Sequence, residues 1–179
     1  MPNWCNNNVT IYGPKAKVKA IQSAFEEGKF CSHILPNPDG EWDYNWSVNN
    51  WGTKWDCGSS DEYCEYTDEA QDRAKLELSF DSAWSPPIGV YETLIQDEDM
   101  DCGAYYYEPG MSFCGAWSNG ADEHYDITGD SKWVQEEIPE AIDDMFGISE
   151  SMAEYENEED LSTWMREGAE SRKKAEEVA

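Results

Sequence analysis

The sequence predicts an α+β fold in which helices cover one face of an antiparallel or mixed sheet, with a helical extension at the C-terminal end. Segments in which apolar and polar residues alternate, as in half-buried strands, are separated by segments whose apolar residues recur every three or four positions, as in amphipathic helices. The 179 residues are enough to bury a core, and the 13% aromatic content supplies apolar area that disordered acidic chains lack. We therefore expect a folded protein.

The first strand and the first helix follow from local patterns. Residues 8–12 alternate and are rich in β-branched side chains, and Gly13-Pro14 ends this strand. The apolar spacing after it predicts a short helix from Lys15 that Gly28 ends. The buried face of this helix is predicted to carry Val18, Ile21, Ala24 and Phe25.

The middle of the chain predicts further strands. Residues 30–35 are predicted as a second strand, and the aromatic-rich residues 42–55 as a loop with a short strand. Residues 57–71 are acidic and have no regular pattern. Residues 74–80 alternate cleanly, which predicts a strand. Its inward-facing side chains are expected to be Leu76, Leu78 and Phe80 or their neighbours.

A second helix and a hairpin come next. The run Ser85-Pro86-Pro87 indicates a helix start, because prolines are tolerated in a first turn and a serine can cap it. The buried face of this helix is predicted to carry Ile88, Tyr91, Leu94 and Ile95. Residues 104–108 and 112–117 are strand candidates, and Pro109-Gly110 between them predicts a hairpin.

A third helix is predicted from Asp130-Ser131, with Pro139 kinking or splitting it. Its apolar residues are Trp133, Val134, Ile138, Ile142, Met145 and Phe146. We divide the chain into a domain of residues 1–147 and, in residues 148–179, an acidic linker with a mixed-charge helix over 161–178. The element order of the domain is that of the split βαβ, or ferredoxin-like, plan.

Four sequence blocks resemble a known family. They are residues 1–7 (MPNWCNN), 50–56 (NWGTKWD), 80–87 (FDSAWSPP) and 107–115 (YEPGMSFCG). They look like the signature blocks, in the same order, of the YubB-type ferredoxin-like family carried by phages and plasmids. The resemblance implies a ferredoxin-like domain and a mobile-element origin. It implies no activity, because no biochemical function is established for that family.

The net charge of −27 comes from 39 Asp and Glu against 12 Lys and Arg. Of the 39 carboxylates, 29 lie in residues 61–160, whereas halophilic adaptation would spread them evenly. Such a surface excludes duplex nucleic acid as a direct partner, because that binding needs cations against phosphates. We expect a soluble protein of the host cytoplasm, because the chain shows no signal peptide and no apolar run long enough for a membrane span.

Patterns typical of enzymes are missing from the sequence. The six cysteines form no Cys-x-x-Cys pair, and His33 and His124 fall in no ligand or catalytic motif. There is no glycine-rich phosphate loop and no Gly-x-Ser-x-Gly motif. We therefore expect a non-enzymatic protein without cofactor or metal.

The carboxylates themselves are the best functional feature. Carboxylates on a rigid fold can imitate DNA phosphates and bind a basic or nucleic-acid-binding host protein, with fast, salt-dependent association. We therefore predict inhibition or sequestration of such a protein. The candidate contacts are Asp97, Glu98, Asp99, Asp101, Glu136, Glu137, Glu140, Asp143, Asp144, Glu154, Glu156, Glu158, Glu159 and Asp160.

Two alternatives use other residues. Trp51, Trp55 and Trp84 could form an aromatic platform for single-stranded nucleic acid, with Lys54 on a phosphate. Otherwise these tryptophans close the core, and Lys54 pairs with a carboxylate such as Asp56. The second alternative is a calcium loop.

The calcium loop would use the carboxylates of Asp97, Asp99 and Asp101, with Glu108 at the twelfth position. However, Cys102 stands where such loops need glycine, and Glu108 falls in a predicted strand. A solvated acidic helix end explains the same residues.

Overall fold

The computed structural model describes residues 3–159 and residue 163. The chain divides into two compact units, residues 1–127 and residues 128–179. They are called the first unit and the second unit below. The sequence predicted a domain boundary after residue 147. The division into these two units does not test that boundary, which stays a prediction. Within the described residues, no helix combines the length and apolar composition that crossing a bilayer requires.

The first unit is built on one six-stranded antiparallel sheet. Its strands are β1 (Trp4–Pro14), β2 (Tyr63–Ala70), β3 (Arg73–Ala83), β4 (Asp101–Glu108), β5 (Phe113–Ser118) and β6 (Ala121–Asp126). Their order across the sheet is β2-β3-β1-β4-β5-β6. The four strands β2-β3-β1-β4 have the arrangement of a split βαβ fold, and the β5–β6 hairpin extends it.

Helices connect these strands and form the core with one face of the sheet. They are α1 (Lys15–Glu26), α2 (Phe30–Ile34), α3 (Tyr44–Asn50) and α4 (Ile88–Leu94). Alternate residues of β1, β3 and β4 are buried, as expected for strands with one face on a core. The largest fully buried side chains of this unit include Phe25, Phe30, Leu76, Tyr91 and Trp117.

Elements with a strong local pattern agree with the sequence prediction. The α1 helix ends just before Gly28, and its buried residues are the four that were predicted. Leu76, Leu78 and Phe80 are buried in β3, and β4 and β5 pair as the predicted hairpin. However, Ser85 does not cap α4, because its hydroxyl donates a hydrogen bond to the Gly52 carbonyl instead.

The strand predicted over residues 30–35 is wrong, because these residues form α2. A distant carboxylate stabilises this helix. Asp56 Oδ1 accepts the Cys31 amide at 2.6 Å, and Oδ2 accepts the Ser32 amide at 3.2 Å. These amides belong to the first turn of α2, where no intrahelical carbonyl is available. The cap therefore comes from a residue 25 positions away from Cys31.

The short strand predicted within residues 42–55 is also wrong, because this segment contains α3. Asp43 caps α3 by accepting the Trp46 amide at 2.7 Å. Two strands were not predicted, β2 within the acidic residues 57–71 and the largely exposed β6.

The second unit is helical in its described part. It contains α5 (Ser131–Glu137) and α6 (Glu140–Phe146), and residues 148–159 are helical as well. Pro139 splits the predicted third helix, and Asp130 caps α5 through the Trp133 amide at 3.0 Å. Except for residue 163, the helix predicted over residues 161–178 lies outside the described residues.

Candidate functional site

The four sequence blocks meet at one end of the sheet. In the register, Trp4 lies opposite Ala83, and Asn6 lies opposite Tyr107, so the start of β1 is beside the ends of β3 and β4. The remaining block joins them because the Thr53 hydroxyl is 3.0 Å from both the amide and the carbonyl of Ala83. Residues that are up to about a hundred positions apart thus form one structural site.

Buried polar groups hold this end of the sheet together. The Asn7 side-chain amide donates to the Cys5 carbonyl and to the Ser82 hydroxyl, both at 2.8 Å. The Ser82 hydroxyl in turn is 2.8 Å from the Ser85 carbonyl. Because buried polar groups are costly without partners, this network favours a single arrangement of the blocks. The site therefore has a rigid base.

Trp84 has a backbone φ of 74°, which is uncommon for a residue other than glycine. Its amide donates to the Asn3 carbonyl at 2.9 Å. The neighbouring residues on both sides are also fixed, Ala83 by Thr53 and Ser85 by Gly52. The surrounding contacts thus hold a strained conformation that exposes part of the Trp84 ring.

Aromatic rings surround the Lys54 ammonium on the surface. Lys54 Nζ lies 4.4 Å from the ring centroid of Trp55, 5.3 Å from that of Trp84 and 5.9 Å from that of Tyr44. Trp4 packs on Trp55 with ring centroids 5.9 Å apart, and Trp42 Nε1 donates to the Lys54 carbonyl at 3.0 Å. We call these residues the Lys54 cluster: Trp4, Trp42, Tyr44, Lys54, Trp55 and Trp84. Each of its five aromatic residues is between 37% and 56% exposed.

The Lys54 cluster overlaps with the predicted aromatic platform but differs in membership. It brings Lys54, Trp55 and Trp84 together. Trp51 belongs to the core instead, because it is only 4% exposed and its Nε1 donates to the Leu35 carbonyl at 2.7 Å. The alternative partner of Lys54, Asp56, accepts backbone amides of α2.

Sequence reasoning missed Trp4, Trp42 and Tyr44 as members of the Lys54 cluster. Trp4 was visible only as part of the first block, at the start of β1. Tyr44 takes its place because α3 begins at it, and α3 was not predicted.

The environment of the Lys54 cluster is partly acidic. A cavity of about 310 Å³ beside Trp4 and Trp55 is lined by Glu62 and Asp81, among others. Burial raises the pKa of the Glu62 carboxyl above its ordinary value. The cluster can stack planar groups on its exposed rings, but these carboxylates oppose the approach of a phosphate.

Most of the carboxylates at residues 97–101 that were predicted to contact another protein already pair with cations of the first unit. Lys17 contacts the carboxylates of Asp97 and Asp99, and Arg73 lies 3.4 Å from that of Asp101. The hydrogen bond from Lys17 lowers the pKa of Asp97. Glu98 is exposed. These cations reduce the field that the segment presents to a partner.

Glu108 has a structural role that differs from the one a calcium loop would give it. It is fully buried, and its carboxylate accepts the Gly110 amide at 3.0 Å and the Met111 amide. It thereby fixes the β4–β5 turn. Within residues 3–159, no group of three or more potential ligand side chains is arranged to hold a metal ion.

The predicted contacts of the second unit fall into three groups. Two carboxylates have internal roles: Asp143 accepts the Ser149 amide at 2.7 Å, and Glu156 accepts the Ser131 amide at 2.9 Å. Asp160 lies outside the described residues. The remaining candidates are exposed: Glu136, Glu137, Glu140, Asp144, Glu154, Glu158 and Glu159.

These exposed carboxylates, apart from Glu159, form no ion pair within the part of the chain that the structure describes. The six are called the second-unit carboxylates below. Lys132 is the only basic residue among the described residues of this unit. The negative charge of the second-unit carboxylates is therefore less compensated by nearby cations than that of residues 97–101.

The cysteines are free thiols, and five of the six are buried. Burial raises the pKa of Cys5 and of Cys102 to about 12. Cys64 is partly exposed, and burial raises its pKa to about 11. Cys5, Cys64 and Cys102 are therefore protonated near neutral pH, which makes them poor nucleophiles.

Comparison with known proteins agrees with this architecture. Residues 62–177 match the family model described as the ferredoxin-like domain in Api92-like protein. The matched segment begins next to β2, so the central strand β1 precedes it. No curated protein and no solved structure matches the chain significantly. The match covers more than half of the chain, and the chain belongs to the family of the ferredoxin-like domain in Api92-like proteins.

Proposed function

We propose that this chain is a non-enzymatic binding protein of phage or plasmid origin that acts in the host cytoplasm. It inhibits or sequesters a basic or nucleic-acid-binding host protein by presenting carboxylates in place of DNA phosphates, as a DNA mimic that counteracts a host defence protein would do. The mobile-element origin rests on the resemblance of the four blocks to the YubB-type family.

The observation that carries this proposal is the exposure of the second-unit carboxylates and their lack of described ion pairs. They are exposed, and no described cation pairs with them. Glu136, Glu137, Glu140 and Asp144 lie on two consecutive short helices, so a partner would meet them on ordered backbone. A rigid negative surface attracts a positive cleft over a distance set by the ionic strength.

The test is capture of host proteins by the immobilised full chain, at low salt and at high salt. We expect a basic partner at low salt, its release at high salt, and its displacement by duplex DNA. A variant neutralises one group of carboxylates through the changes Glu136→Gln, Glu137→Gln, Glu140→Gln and Asp144→Asn. It should lose the partner.

A matched control neutralises four exposed carboxylates of the first unit through the changes Asp39→Asn, Asp61→Asn, Glu69→Gln and Glu92→Gln. It has the same net charge as the test variant and should keep the partner. Equal losses in both variants, or no basic partner at low salt, would contradict the proposal.

The Lys54 cluster supports a second candidate function, binding of single-stranded nucleic acid. Its exposed rings surround one ammonium group, which suits base stacking with one phosphate contact. The neighbouring Glu62 and Asp81 argue against it.

Binding of labelled single-stranded oligonucleotides tests this second candidate. If it is correct, Trp55→Ala and Trp84→Ala abolish binding, whereas Tyr155→Ala, which removes an exposed ring of the second unit, leaves it intact. No binding by the unmodified chain would exclude it.

A further inference from the structure

A second cavity of the first unit lies beside α3. It has a volume of about 300 Å³, at the lower end of the range for small-ligand sites. We call it the Trp42 pocket. Its apolar walls include Pro36, Trp42 and Trp51, and its polar lining includes Glu41, Ser47 and Asp56.

Ser47 has an unsatisfied hydroxyl in this pocket. Its side chain is 1% exposed, and its Oγ is the one buried side-chain nitrogen or oxygen atom without a hydrogen-bond partner among the described residues. A buried hydroxyl without a partner is unfavourable, and native structures rarely leave one. Ser47 lines the cavity but its Oγ has almost no accessible surface, so a change of the side-chain rotamer would bring the hydroxyl to an occupant that supplies the missing partner.

Several hydrogen-bond donors of the lining are already in use. The indole N–H of Trp42 donates to the Lys54 carbonyl, and that of Trp51 to the Leu35 carbonyl. The Asn37 side-chain amide donates to the Glu41 carbonyl at 2.8 Å. Both indoles therefore offer a ligand only their ring surfaces.

The remaining polar groups mainly accept hydrogen bonds and carry negative charge. Asp56 Oδ1 already accepts the Cys31 and Cys57 amides, whereas Oδ2 has one contact, the Ser32 amide at 3.2 Å. Glu41 adds a second carboxylate, and no lysine, arginine or histidine lines the pocket. Such a lining favours a flat cation that donates hydrogen bonds.

We propose that the Trp42 pocket binds an alkylguanidinium group, as a free small molecule or as an arginine side chain of another protein. A guanidinium stacks on indole rings and donates to carboxylates in a planar fork. After a change of its side-chain rotamer, the Ser47 hydroxyl accepts a further N–H of the ligand. This inference does not depend on the second-unit carboxylates, which lie in the other unit.

The test uses the full chain labelled with ¹⁵N and titrated with N-acetyl-arginine amide. The indole N–H resonances of Trp42 and Trp51 report binding at the pocket. N-acetyl-citrulline amide has nearly the same shape without the charge, and we expect it to bind at least about tenfold more weakly. Agmatine and an arginine-containing peptide distinguish the sources, because tighter binding of the peptide assigns the pocket to a protein side chain.

Two variants locate the binding. Trp42→Ala removes a ring that is 56% exposed, so the fold should tolerate the change, and Ser47→Ala removes the unsatisfied hydroxyl. Each should weaken binding about tenfold or more. The control Tyr63→Ala removes a ring on β2 that is 53% exposed and lies outside both the pocket and the Lys54 cluster, so it should leave the affinity unchanged. Equal affinity for the citrulline probe, absence of binding, or unchanged affinity in both pocket variants would overturn the proposal.

Discussion

The two units use their carboxylates in different ways. In the first unit, Glu108 and Asp56 accept backbone amides, and Asp97 and Asp101 contact Lys17 and Arg73. In the second unit, only a few carboxylates have such partners, and the second-unit carboxylates remain exposed without described ion pairs. The comparison teaches that net charge alone does not locate a binding surface. The partners of each carboxylate must be known as well.

Glu108→Ala should show the largest effect, because it removes the buried acceptor of two backbone amides. We expect the free energy of unfolding to fall by about 3 kcal/mol, since the change leaves a cavity at a fully buried side chain and removes two charge-assisted hydrogen bonds of the turn. Urea unfolding measures this. Glu136→Ala is the matched control in the second unit and should change stability little. Similar losses in both variants would remove the contrast between the units.

Asp56→Ala should have the next largest effect. It leaves the first amides of α2 without their acceptor, and we expect a loss of about 2 kcal/mol. Hydrogen exchange should accelerate most at Cys31 and Ser32. Unchanged exchange at these amides would show that Asp56 does not stabilise α2.

High pH should destabilise the first unit, which contains all six cysteines. The folded pKa of Cys5 and of Cys102 is raised from 9.0 to about 12, so the folded state binds protons that the unfolded state has lost. This stabilisation is fully present below pH 9 and is lost as the pH rises toward 12. At pH 10, each thiol should lower the unfolding free energy by about 1.4 kcal/mol.

Urea unfolding across the range from pH 8 to pH 11 measures this slope. Cys102→Ala should reduce the slope of the unfolding free energy against pH by the contribution of one thiol. A pH-independent unfolding free energy would contradict the role of burial.

Asp97→Asn should show the smallest effect. The pair with Lys17 is solvent-exposed, and such pairs contribute little to stability. We expect an unchanged unfolding midpoint at ordinary salt concentrations. A clear loss would mean that the ion pairs of residues 97–101 stabilise the fold as Glu108 and Asp56 do.

The sequence predicted the elements whose stabilising contacts repeat locally. Four apolar residues at helical spacing were enough for α1, and alternation was enough for β3. The α2 helix was missed because its cap comes from Asp56, which no local pattern reveals. The β6 strand was missed because most of its residues are exposed, so its alternation carries no apolar signal.

The candidate site was predictable only in part for the same reason. The sequence blocks pointed to Trp55 and Trp84 but could not separate them from the buried Trp51. The position of the Trp84 ring depends on its backbone, whose φ of 74° is held by Asn3 from another block. Long-range hydrogen bonds of this kind have no signature in a single sequence.

The negative charge on the two end strands of the sheet has a second role. β2 and β6 are the two end strands, and both expose carboxylates, among them Glu65 and Glu69 on β2 and Asp122 and Glu123 on β6. An end strand with free backbone groups invites pairing with a strand of another molecule, and like charges along it oppose that pairing. These carboxylates should therefore keep copies of the protein from joining edge to edge. Screening by salt would weaken this protection and favour aggregation.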